Sequence, residues 1–381
     1  MKILVLSAHT ESLFWFRMNM MQTFQKNGHT IYAVGSEPEV KWSKKFREKG
    51  IFYRQIPVSR NGLNPFADLK TQKAIKEIFK EIQPDKIFAY QAKAIVYGAI
   101  AAKQCGISEF YTLIAGLGSV FRGTGLKNKF IRAVLSVQYN IACKNSKAVI
   151  FQNEDDRNEM ISKNIVKKDK THIINGSGVD IKHFSVLPLP ESASFLFIGR
   201  LIKDKGVKEY LDACRIVKNK YPDTNCMLVG PFDSNPSALR RDELEAYTKD
   251  GTVIWYGEQK DVVPYLEKTA VFVLPSYHEG TPKTVLEAMA TGRAIITTDA
   301  PGCRETVKDG INGFLVPIRD ASSVAEKMID FIENPEIYKR FGLESRKIAE
   351  EKYDVNKVNA AIMNIMSIKY EKEEENVTVS V

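Results

Sequence analysis

The sequence predicts an α/β protein with two Rossmann-like, doubly wound parallel sheets in tandem, facing each other across a cleft. Short apolar segments such as KILVLS, residues 2–7, alternate with helical patterns along the first half. This alternation restarts after a turn-rich and proline-rich stretch at residues 176–194. In addition, 381 residues exceed the roughly 100 to 200 of a usual domain. Repeated βα order favours parallel sheets, with sites at the carboxyl ends of the strands.

The order of elements predicts four segments. An N-terminal domain is expected at residues 1–180 and a C-terminal domain at 181–355. The helix predicted at 356–368 is longer than the second sheet needs, and we expect it to pack back on the N-terminal domain. Residues 369–381, KYEKEEENVTVSV, are expected to be disordered because they are highly charged and contain few large apolar residues.

Composition narrows the class of protein. A hydrophobic content of 44% is ample for two cores. The initial MKILVLSA is too short for a secretion signal and is interpreted as a first strand. The stretch AIVYGAIAA, residues 94–102, falls below the roughly 18 residues that span a bilayer. Five scattered cysteines without a metal-ligand spacing indicate a reducing, cytoplasmic location.

The net charge of +9 is unevenly distributed. Residues 1–184 contain 29 Lys and Arg against 15 Asp and Glu, whereas the remainder contains 26 against 31. Residues 126–145 predict a basic amphipathic helix with four apolar residues along one side, namely Phe130, Val134, Val137 and Ile141. Such a helix either lies on an anionic membrane surface or packs on its own sheet with a solvated basic face. Nucleic acid is not expected, because no zinc-ligand spacing, RNA-binding signature or helix-turn-helix pattern occurs.

The most informative stretch is EGTPKTVLE, from Glu279 to Glu287. The apolar strand VFVLP, residues 271–275, leads into the N-terminus of a helix, whose free N–H groups and dipole attract anions. Glu279 in the loop and Glu287 in the helix can accept hydrogen bonds from sugar hydroxyls. The spacing alone leaves open a surface helix with two solvated acidic residues.

A second anion site is predicted where the strand FLFIG, residues 195–199, is followed by Arg200 and Lys205. The planar fork of arginine suits phosphate oxygens, whereas lysine is a movable point charge. Surface ion pairs are the alternative interpretation. Because these cations can neutralise a diphosphate and no Asp-x-Asp occurs, we predict that no metal is required.

Several motifs resemble those of retaining glycosyltransferases of the GT-B fold, family four. They are GRLIKDKG (199–206), YHEGTPKTVLEAMATGRAIITTDAPG (277–302), DGINGFLVP (309–317), and GSGVD (176–180) with Phe184. Among bacterial enzymes that assemble capsule, exopolysaccharide or lipid-linked oligosaccharide, three further segments have counterparts, namely NGLNPFADL (61–69), GLGSVF (116–121) and GPFDSNPSAL (230–239).

The resemblance implies that the domain at residues 1–180 is the acceptor side and that the domain at 181–355 binds the nucleotide-sugar donor. It also implies roles for matching residues. Arg200 and Lys205 would bind the donor diphosphate, Glu279 the donor sugar, and Glu287 the nucleotide ribose. Arg200, Lys205 and Glu279 are thus the predicted catalytic residues. The other predicted donor-binding residues are Gly280, Thr281, Pro282 and Lys283 in the turn, and Tyr256 near the base. Pro282 is the one turn residue here that has no N–H to offer.

The chain departs from the family on the acceptor side. SAHTESLFWFR, residues 7–17, replaces the glycine pair that many relatives have after the first strand. We predict that His9 and Arg17 contact the acceptor, although His9 equally fits an ordinary surface loop. A histidine found in many relatives after a middle strand is absent, so the acceptor's base is unassigned. Gly116 and Gly118 are predicted to form a tight loop facing the cleft.

The predicted activity is transfer of a hexose or N-acetylhexosamine from a UDP-sugar, with retention, to a lipid-linked glycan of the undecaprenyl-diphosphate type. The protein would be cytoplasmic and peripherally bound to the inner face of the plasma membrane through its basic N-terminal half. A glycoside hydrolase is disfavoured because both carboxylates lie on one strand-turn-helix unit beside phosphate-binding cations. The alternatives are a soluble acceptor, a sugar-nucleotide epimerase, or a non-catalytic sugar-nucleotide-binding subunit.

Overall fold

The structure is a computed structural model that describes residues 1–58, 65–118, 121, 125–235 and 237–369. The predicted tail therefore lies outside the described residues, apart from Lys369. Parts of the motifs at residues 61–69, 116–121 and 230–239 also lie outside them.

The first sheet is parallel and holds seven strands within the described residues. They are β1 (Lys2–Ser7), β2 (Thr30–Gly35), β3 (Phe52–Gln55), β4 (Lys86–Tyr90), β5 (Phe110–Ile114), β6 (Ala148–Phe151) and β7 (Thr171–Ile173). Their spatial order is β3-β2-β1-β4-β5-β6-β7. The accompanying helices are α1 (Thr10–Phe16), α2 (Met18–Lys26), α3 (Glu39–Arg47), α4 (Pro65–Ile82), α5 (Ala92–Gln104), α6 (Leu126–Asn145) and α7 (Glu154–Ser162).

The second sheet is also parallel and holds six strands within the described residues. They are β8 (Ser194–Ile198), β9 (Asn225–Val229), β10 (Ile254–Trp255), β11 (Val271–Leu274), β12 (Ala294–Thr298) and β13 (Gly313–Val316). Their spatial order is β10-β9-β8-β11-β12-β13. The helices that follow β7 are α8 (Val207–Lys220), α9 (Arg241–Lys249), α10 (Val263–Glu267), α11 (Lys283–Ala290), α12 (Ala321–Glu333), α13 (Pro335–Ile348) and α14 (Val355–Ile365).

Both sheets reverse their winding direction once. The reversal lies between β1 and β4 in the first sheet and between β8 and β11 in the second. Such switch points leave a crevice at the carboxyl ends of the strands, where ligands of doubly wound folds bind. The predicted α/β class with two doubly wound sheets is confirmed. We refer to each sheet with its packed helices as the first-sheet unit and the second-sheet unit.

Two elements of the first-sheet unit were not predicted. The segment after β1, which we interpreted as a loop, contains the short helix α1, with Thr10, Ser12 and Leu13 buried. The three-residue strand β7 lengthens the edge of the sheet beside β6. Both elements are too short to show the periodicity on which a sequence prediction depends.

The chain ends by returning to the first-sheet unit. Helix α13 is followed by a π-helical turn at Ala349–Tyr353, and α14 then packs against α2. Val358, Ile362 and Met363 of α14 are fully or almost fully buried in the same apolar cluster as Phe24. The Asn359 amide donates hydrogen bonds to Asn19 Oδ1 at 2.7 Å and to Thr23 Oγ1 at 2.9 Å.

Candidate functional site between the two sheets

The carboxyl ends of the two sheets meet at the loop after β11. The Asn153 amide, which follows β6, donates to the carbonyl oxygens of Glu279 and Gly280 at 3.1 Å each. A Cβ atom on Gly280 would lie only 2.0 Å from the carbonyl oxygen of Ala115, which follows β5. Glycine is therefore required for this close approach of two backbones. The loop after β11 is thus shaped by residues of both units.

The predicted cations and one predicted carboxylate meet at the switch point of the second sheet. Arg200 and Lys205 follow β8, and Glu279 follows β11. The Lys205 ammonium donates to Glu279 Oε1, which also accepts a 2.9 Å hydrogen bond from Ser276. Arg200 donates to Asp233 Oδ2 at 2.8 Å. A basic and an acidic side chain in contact can bind a phosphate and an adjacent hydroxyl of one ligand.

A cavity of about 390 Å³ opens between the two units beside these side chains. Its lining comes from both units and includes four predicted site residues. The lining residues are Gly118, Arg200, Ile202, Asp204, Lys205, Asn235, Tyr277, His278, Glu279 and Arg319. The lining contains three cationic side chains, from Arg200, Lys205 and Arg319, which can bind an anionic ligand, and two acidic ones, from Asp204 and Glu279. A volume of this size falls in the range of small-molecule sites.

Glu287 lies one turn into α11, next to the same boundary. Its side chain is 10% exposed, and burial raises the pKa of its carboxyl, an effect that Lys283 partly offsets. The Lys283 ammonium lies 3.6 Å from Glu287 Oε1 and donates a 2.9 Å hydrogen bond to the carbonyl oxygen of Trp15 in α1. Lys283 therefore joins a buried carboxylate of one unit to the backbone of the other.

The rest of the turn has a structural explanation. Pro282 occupies the N-cap position, so the helix begins at Lys283, one residue later than we predicted. Thr281 donates a side-chain hydrogen bond to the carbonyl oxygen of Gln152 at 3.2 Å. Thr281 also packs so closely on Gly176, in the segment that joins the sheets, that a Cβ atom on Gly176 would lie 2.8 Å from the Cβ of Thr281. The turn therefore contacts both the end of β6 and the segment that joins the sheets.

The switch point of the first sheet is occupied by neutral polar groups of the protein itself. Ser7 Oγ donates to Gln91 Oε1 at 3.0 Å, and the amide of Gln91 donates to Ser12 Oγ at 3.2 Å. The hydroxyls of Ser12 and Tyr90 are hydrogen-bonded at 2.9 Å. This crevice is occupied by α1 and by the side chains that are hydrogen-bonded to Ser12.

The structure separates the predicted acceptor-side residues. His9 is the N-cap residue of α1, and its Nε2 lies 3.9 Å from the carboxylate of Glu11. Arg17 is 3% exposed, its guanidinium lies 5.2 Å from the centre of the Tyr90 ring, and burial lowers its pKa. Gly116 lies against the backbone of Gly280, and Gly118 lines the cavity. Of these four residues, Gly118 alone belongs to the cavity lining.

Tyr256 follows the edge strand β10, where its ring centre lies 4.8 Å from that of Tyr265. Its backbone N–H donates to the carbonyl oxygen of Leu228 at 2.9 Å. Tyr256 is not among the residues that line the cavity. Its expected contact with the base stays a prediction.

Sequence reasoning missed three contributors to the boundary. Asn153 caps α7 and donates hydrogen bonds to the loop after β11, and His278 lines the cavity directly before Glu279. Asp156, in the first turn of α7, has its Oδ1 3.2 Å from His278 Nε2. The position of Asn153 and Asp156 after a strand end was the available signal, but it does not reveal the opposing residue.

Two facing Rossmann-like units with a cavity between them that includes cationic side chains are the arrangement predicted for a glycosyltransferase that uses a sugar nucleotide. Comparison with family models supports this assignment in both halves. The model for glycosyl transferase 4-like domains matches residues 2–153, and the model for glycosyl transferases group 1 matches residues 179–348. Each half of the chain thus matches a glycosyltransferase model, and the chain is a glycosyltransferase.

Known relatives share this organisation. The chain is 29% identical over 351 residues to the N,N'-diacetylbacillosaminyl-diphospho-undecaprenol alpha-1,3-N-acetylgalactosaminyltransferase of Campylobacter jejuni, covering 88% of this chain and 91% of the relative. It is 25% identical to the Escherichia coli UDP-Gal:alpha-D-GlcNAc-diphosphoundecaprenol alpha-1,3-galactosyltransferase, covering 72% and 73%. The Staphylococcus aureus capsular polysaccharide biosynthesis glycosyltransferase CapM is 26% identical, covering 78% and 80%.

Solved structures agree on the fold. Sucrose-phosphate synthase from Thermosynechococcus elongatus superposes with a TM-score of 0.80 at 17% identity, covering 96% of this chain and 98% of that chain. Anabaena Alr3699/HepE in complex with UDP superposes with a TM-score of 0.77 at 17% identity, covering 96% and 100%. The predicted GT-B fold and glycosyltransferase activity are confirmed. Among the described residues, no helix combines the length and apolarity needed to cross a bilayer.

Proposed function

We propose that this enzyme transfers a hexose or N-acetylhexosamine from a UDP-sugar, with retention of anomeric configuration, to a lipid-linked glycan of the undecaprenyl-diphosphate type. The contact between Lys205 and Glu279, with Arg200 in the same cavity, carries the donor assignment. In a sugar nucleotide the β-phosphate is attached to the sugar. A cationic side chain therefore suits the phosphate, and a neighbouring carboxylate suits the hydroxyls of the sugar. The names of the Campylobacter and Escherichia relatives support the acceptor class.

Arg200 and Lys205 would act on the leaving group. As the bond to the anomeric carbon breaks, negative charge develops on the departing UDP, and fixed cations bind that state more tightly than the ground state. Two cations can neutralise the diphosphate, so we propose that transfer needs no metal ion. Glu287 would bind the ribose, and Glu279 a hydroxyl of the transferred sugar.

The alternative to metal independence is a metal site elsewhere in the first-sheet unit. Among the described residues, His9, Glu11 and Glu37 are close enough together to share a cation. However, Glu37 already accepts hydrogen bonds from Lys41 and Trp42. We expect full transfer activity in the presence of EDTA. Loss of activity in EDTA that is restored by added Mg²⁺ or Mn²⁺ would contradict metal independence.

The exposed side of α6 supports binding to an anionic membrane at the cytoplasmic face. Tyr139 and Cys143 pack this helix into the first-sheet unit, whereas Phe130 and Val137 are 67% and 62% exposed. The predicted apolar side of the helix is thus not the side that packs on the protein. A cavity at the end of α6 adds four lysines around an apolar floor, namely Lys144, Lys167, Lys168 and Lys170. Exposed apolar and basic groups together suit a surface of anionic lipid.

The donor and acceptor classes are tested by one screen. The purified chain is incubated with UDP-glucose, UDP-galactose and their N-acetylated forms, with an undecaprenyl-diphosphate-linked sugar, and products are identified by mass spectrometry. Arg200→Ala should lower transfer by about 100-fold or more. Arg215→Ala is the matched control, because Arg215 is 40% exposed and paired with Asp250, much as Arg200 is 42% exposed and paired with Asp233. Equal activity of both variants would refute the site.

The membrane assignment has its own test. Lys129→Glu with Lys144→Glu reverses two exposed charges on α6 and should reduce binding to phosphatidylglycerol vesicles, while Lys44→Glu with Lys49→Glu makes the same charge change away from α6. Equal loss in both double variants would show that only net charge matters. Efficient transfer to a free, soluble glycan without vesicle binding would favour the soluble-acceptor alternative.

A further inference from the structure

His278 is a buried polar side chain without a hydrogen-bond partner in the cavity. Its side chain is 9% exposed and lines the cavity next to Glu279. Neither ring nitrogen has a hydrogen-bond partner among the described residues. A buried polar group left in this state destabilises the fold, and such groups in native proteins are uncommon. The ring is therefore a candidate for contact with a ligand.

The imidazole faces a carboxylate of the opposite unit. His278 Nε2 lies 3.2 Å from Asp156 Oδ1, a distance of contact without hydrogen-bond geometry. Asp156 is 1% exposed and is held by Asn153, whose amide donates to Asp156 Oδ2 at 3.1 Å and whose side-chain oxygen accepts from the Asp156 N–H at 2.8 Å. The orientation of the Asp156 carboxylate is thus fixed by Asn153, independently of His278.

A fixed carboxylate selects the tautomer of a facing histidine. The proton is favoured on the nitrogen that faces the carboxylate, which here is Nε2, and the other nitrogen is then an acceptor. An acceptor at Nδ1 discriminates between ligand groups. A sugar hydroxyl can donate a hydrogen bond to it, whereas a phosphate oxygen without a proton cannot.

We propose that His278 is a specificity-determining residue whose Nδ1 accepts a hydrogen bond from a hydroxyl of the transferred sugar, with Asp156 as its positioning residue. This inference rests on the proposed function, because it requires a UDP-sugar in the cavity. Arg200 and Lys205 supply the charges for the diphosphate, so His278 serves the sugar. The sugar pocket is then completed only when the two units are in contact, since the imidazole and its carboxylate come from opposite sides.

The competing explanation is that His278 and Asp156 merely hold the units together. The chain provides a matched control in the adjacent residue, because Asp155 also reaches across the boundary, to Arg304, and does not line the cavity. His278→Ala, His278→Asn, Asp156→Asn and Asp155→Asn are compared with the full-length wild type. The Kd of UDP and the kcat/KM of transfer are measured for UDP-N-acetylgalactosamine, UDP-galactose and their monodeoxy analogues.

For the wild type, one deoxy donor should lose about 10- to 100-fold in kcat/KM, the range for one hydrogen bond to a buried group. His278→Ala should lose a similar factor with the parent donor and nothing further with that deoxy donor, while its Kd for UDP stays within 2-fold. His278→Asn, which keeps an acceptor oxygen, should recover part of the loss. Asp156→Asn should be impaired and Asp155→Asn should resemble wild type.

Three results would overturn the assignment. Equal loss of His278→Ala with every donor, in parallel with weaker UDP binding, would show a structural role. Full activity of His278→Ala would show no role. If the wild type binds UDP-sugars but Asp155→Asn fails as severely as Asp156→Asn, the boundary alone matters. Failure of the wild type to bind any UDP-sugar would instead refute the proposed function, and this inference with it.

Discussion

The switch points of the two sheets have the same topology but different side chains, which are charged at the second sheet and neutral and polar at the first. At the second sheet, the loops after β8 and β11 bring Arg200, Lys205 and Glu279 to one cavity. At the first sheet, the equivalent loops bring Ser7 and Gln91 together, and α1 fills the crevice. A doubly wound sheet thus supplies a place for a ligand, but the residues in the two loops decide whether the place is used. We expect the second crevice to bind a charged ligand. The side chains in the first crevice should contribute only to the stability of the fold.

The largest difference should come from Lys205→Ala. Loss of this ammonium removes a cation from the proposed leaving-group site and leaves Glu279 without its partner, so kcat/KM should fall by about 100- to 1,000-fold. Lys208→Ala is the control, because Lys208 also belongs to the second-sheet unit and pairs with Asp212 at 2.9 Å. If both variants transfer sugar equally well, the charged crevice is not the donor site.

Glu287→Gln tests the proposed ribose ligand. The affinity for UDP, measured by calorimetry, should fall by about 10- to 100-fold, as expected for a hydrogen bond to a charged group. The Tm at pH 7 should be equal to or higher than that of the wild type, because burial raises the pKa of this carboxyl above its ordinary 4.5. A raised pKa means that Glu287 stabilises the fold below about pH 4.5, and that this contribution is lost as the pH rises through the folded-state pKa. A lower Tm together with unchanged UDP affinity would contradict both statements.

Asn153→Ser separates the contact between units from the helix cap. Serine keeps an oxygen that can cap α7 but has no amide to donate to Glu279 and Gly280. We expect kcat/KM to fall about 5- to 10-fold with little change in Tm. Asn153→Ala, which also loses the cap, should add a stability loss of about 1 kcal/mol by chemical denaturation. Wild-type activity in Asn153→Ser would show that the loop after β11 holds its shape without the first-sheet unit.

Ser12→Ala should have the smallest effect on transfer. It removes the hydrogen bonds that Ser12 makes with the Tyr90 hydroxyl and the Gln91 amide and should cost about 1 to 3 kcal/mol of unfolding free energy. The kcat/KM values for donor and acceptor should change less than 2-fold. A 10-fold rise in the acceptor KM at unchanged stability would show that the first crevice binds substrate, and the contrast between the two switch points would fail.

The sequence was sufficient for what depends on local pattern. Strand and helix order, the boundary segment and the donor motifs all lie in continuous stretches, where periodicity and spacing are direct signals. The structure places Arg200, Lys205 and Glu279 in one cavity because parallel strands end at a common edge. The position of these residues after strands was therefore the signal that predicted their grouping, and their role in donor binding stays a prediction.

What the sequence did not show depends on contacts between distant segments. Arg17 lies between α1 and α2, and the sequence does not show that it is buried there with its guanidinium 5.2 Å from the centre of the Tyr90 ring. Asn153 and Glu279 are 126 residues apart, and no local signal links them. The segment after β1 gave no helical signal because α1 has only seven residues. The predicted contacts of His9 and Arg17 with an acceptor stay predictions.

The return of α14 also has a consequence for the order in which the protein folds. The last helix fills a gap in the core of the first-sheet unit, beside Phe24, although about 330 residues lie between them in the chain. During synthesis the first half therefore leaves the ribosome with an unfinished core, which stays open until α14 has been made. A chain truncated before Val355 should accordingly lose stability in the half that was synthesised first.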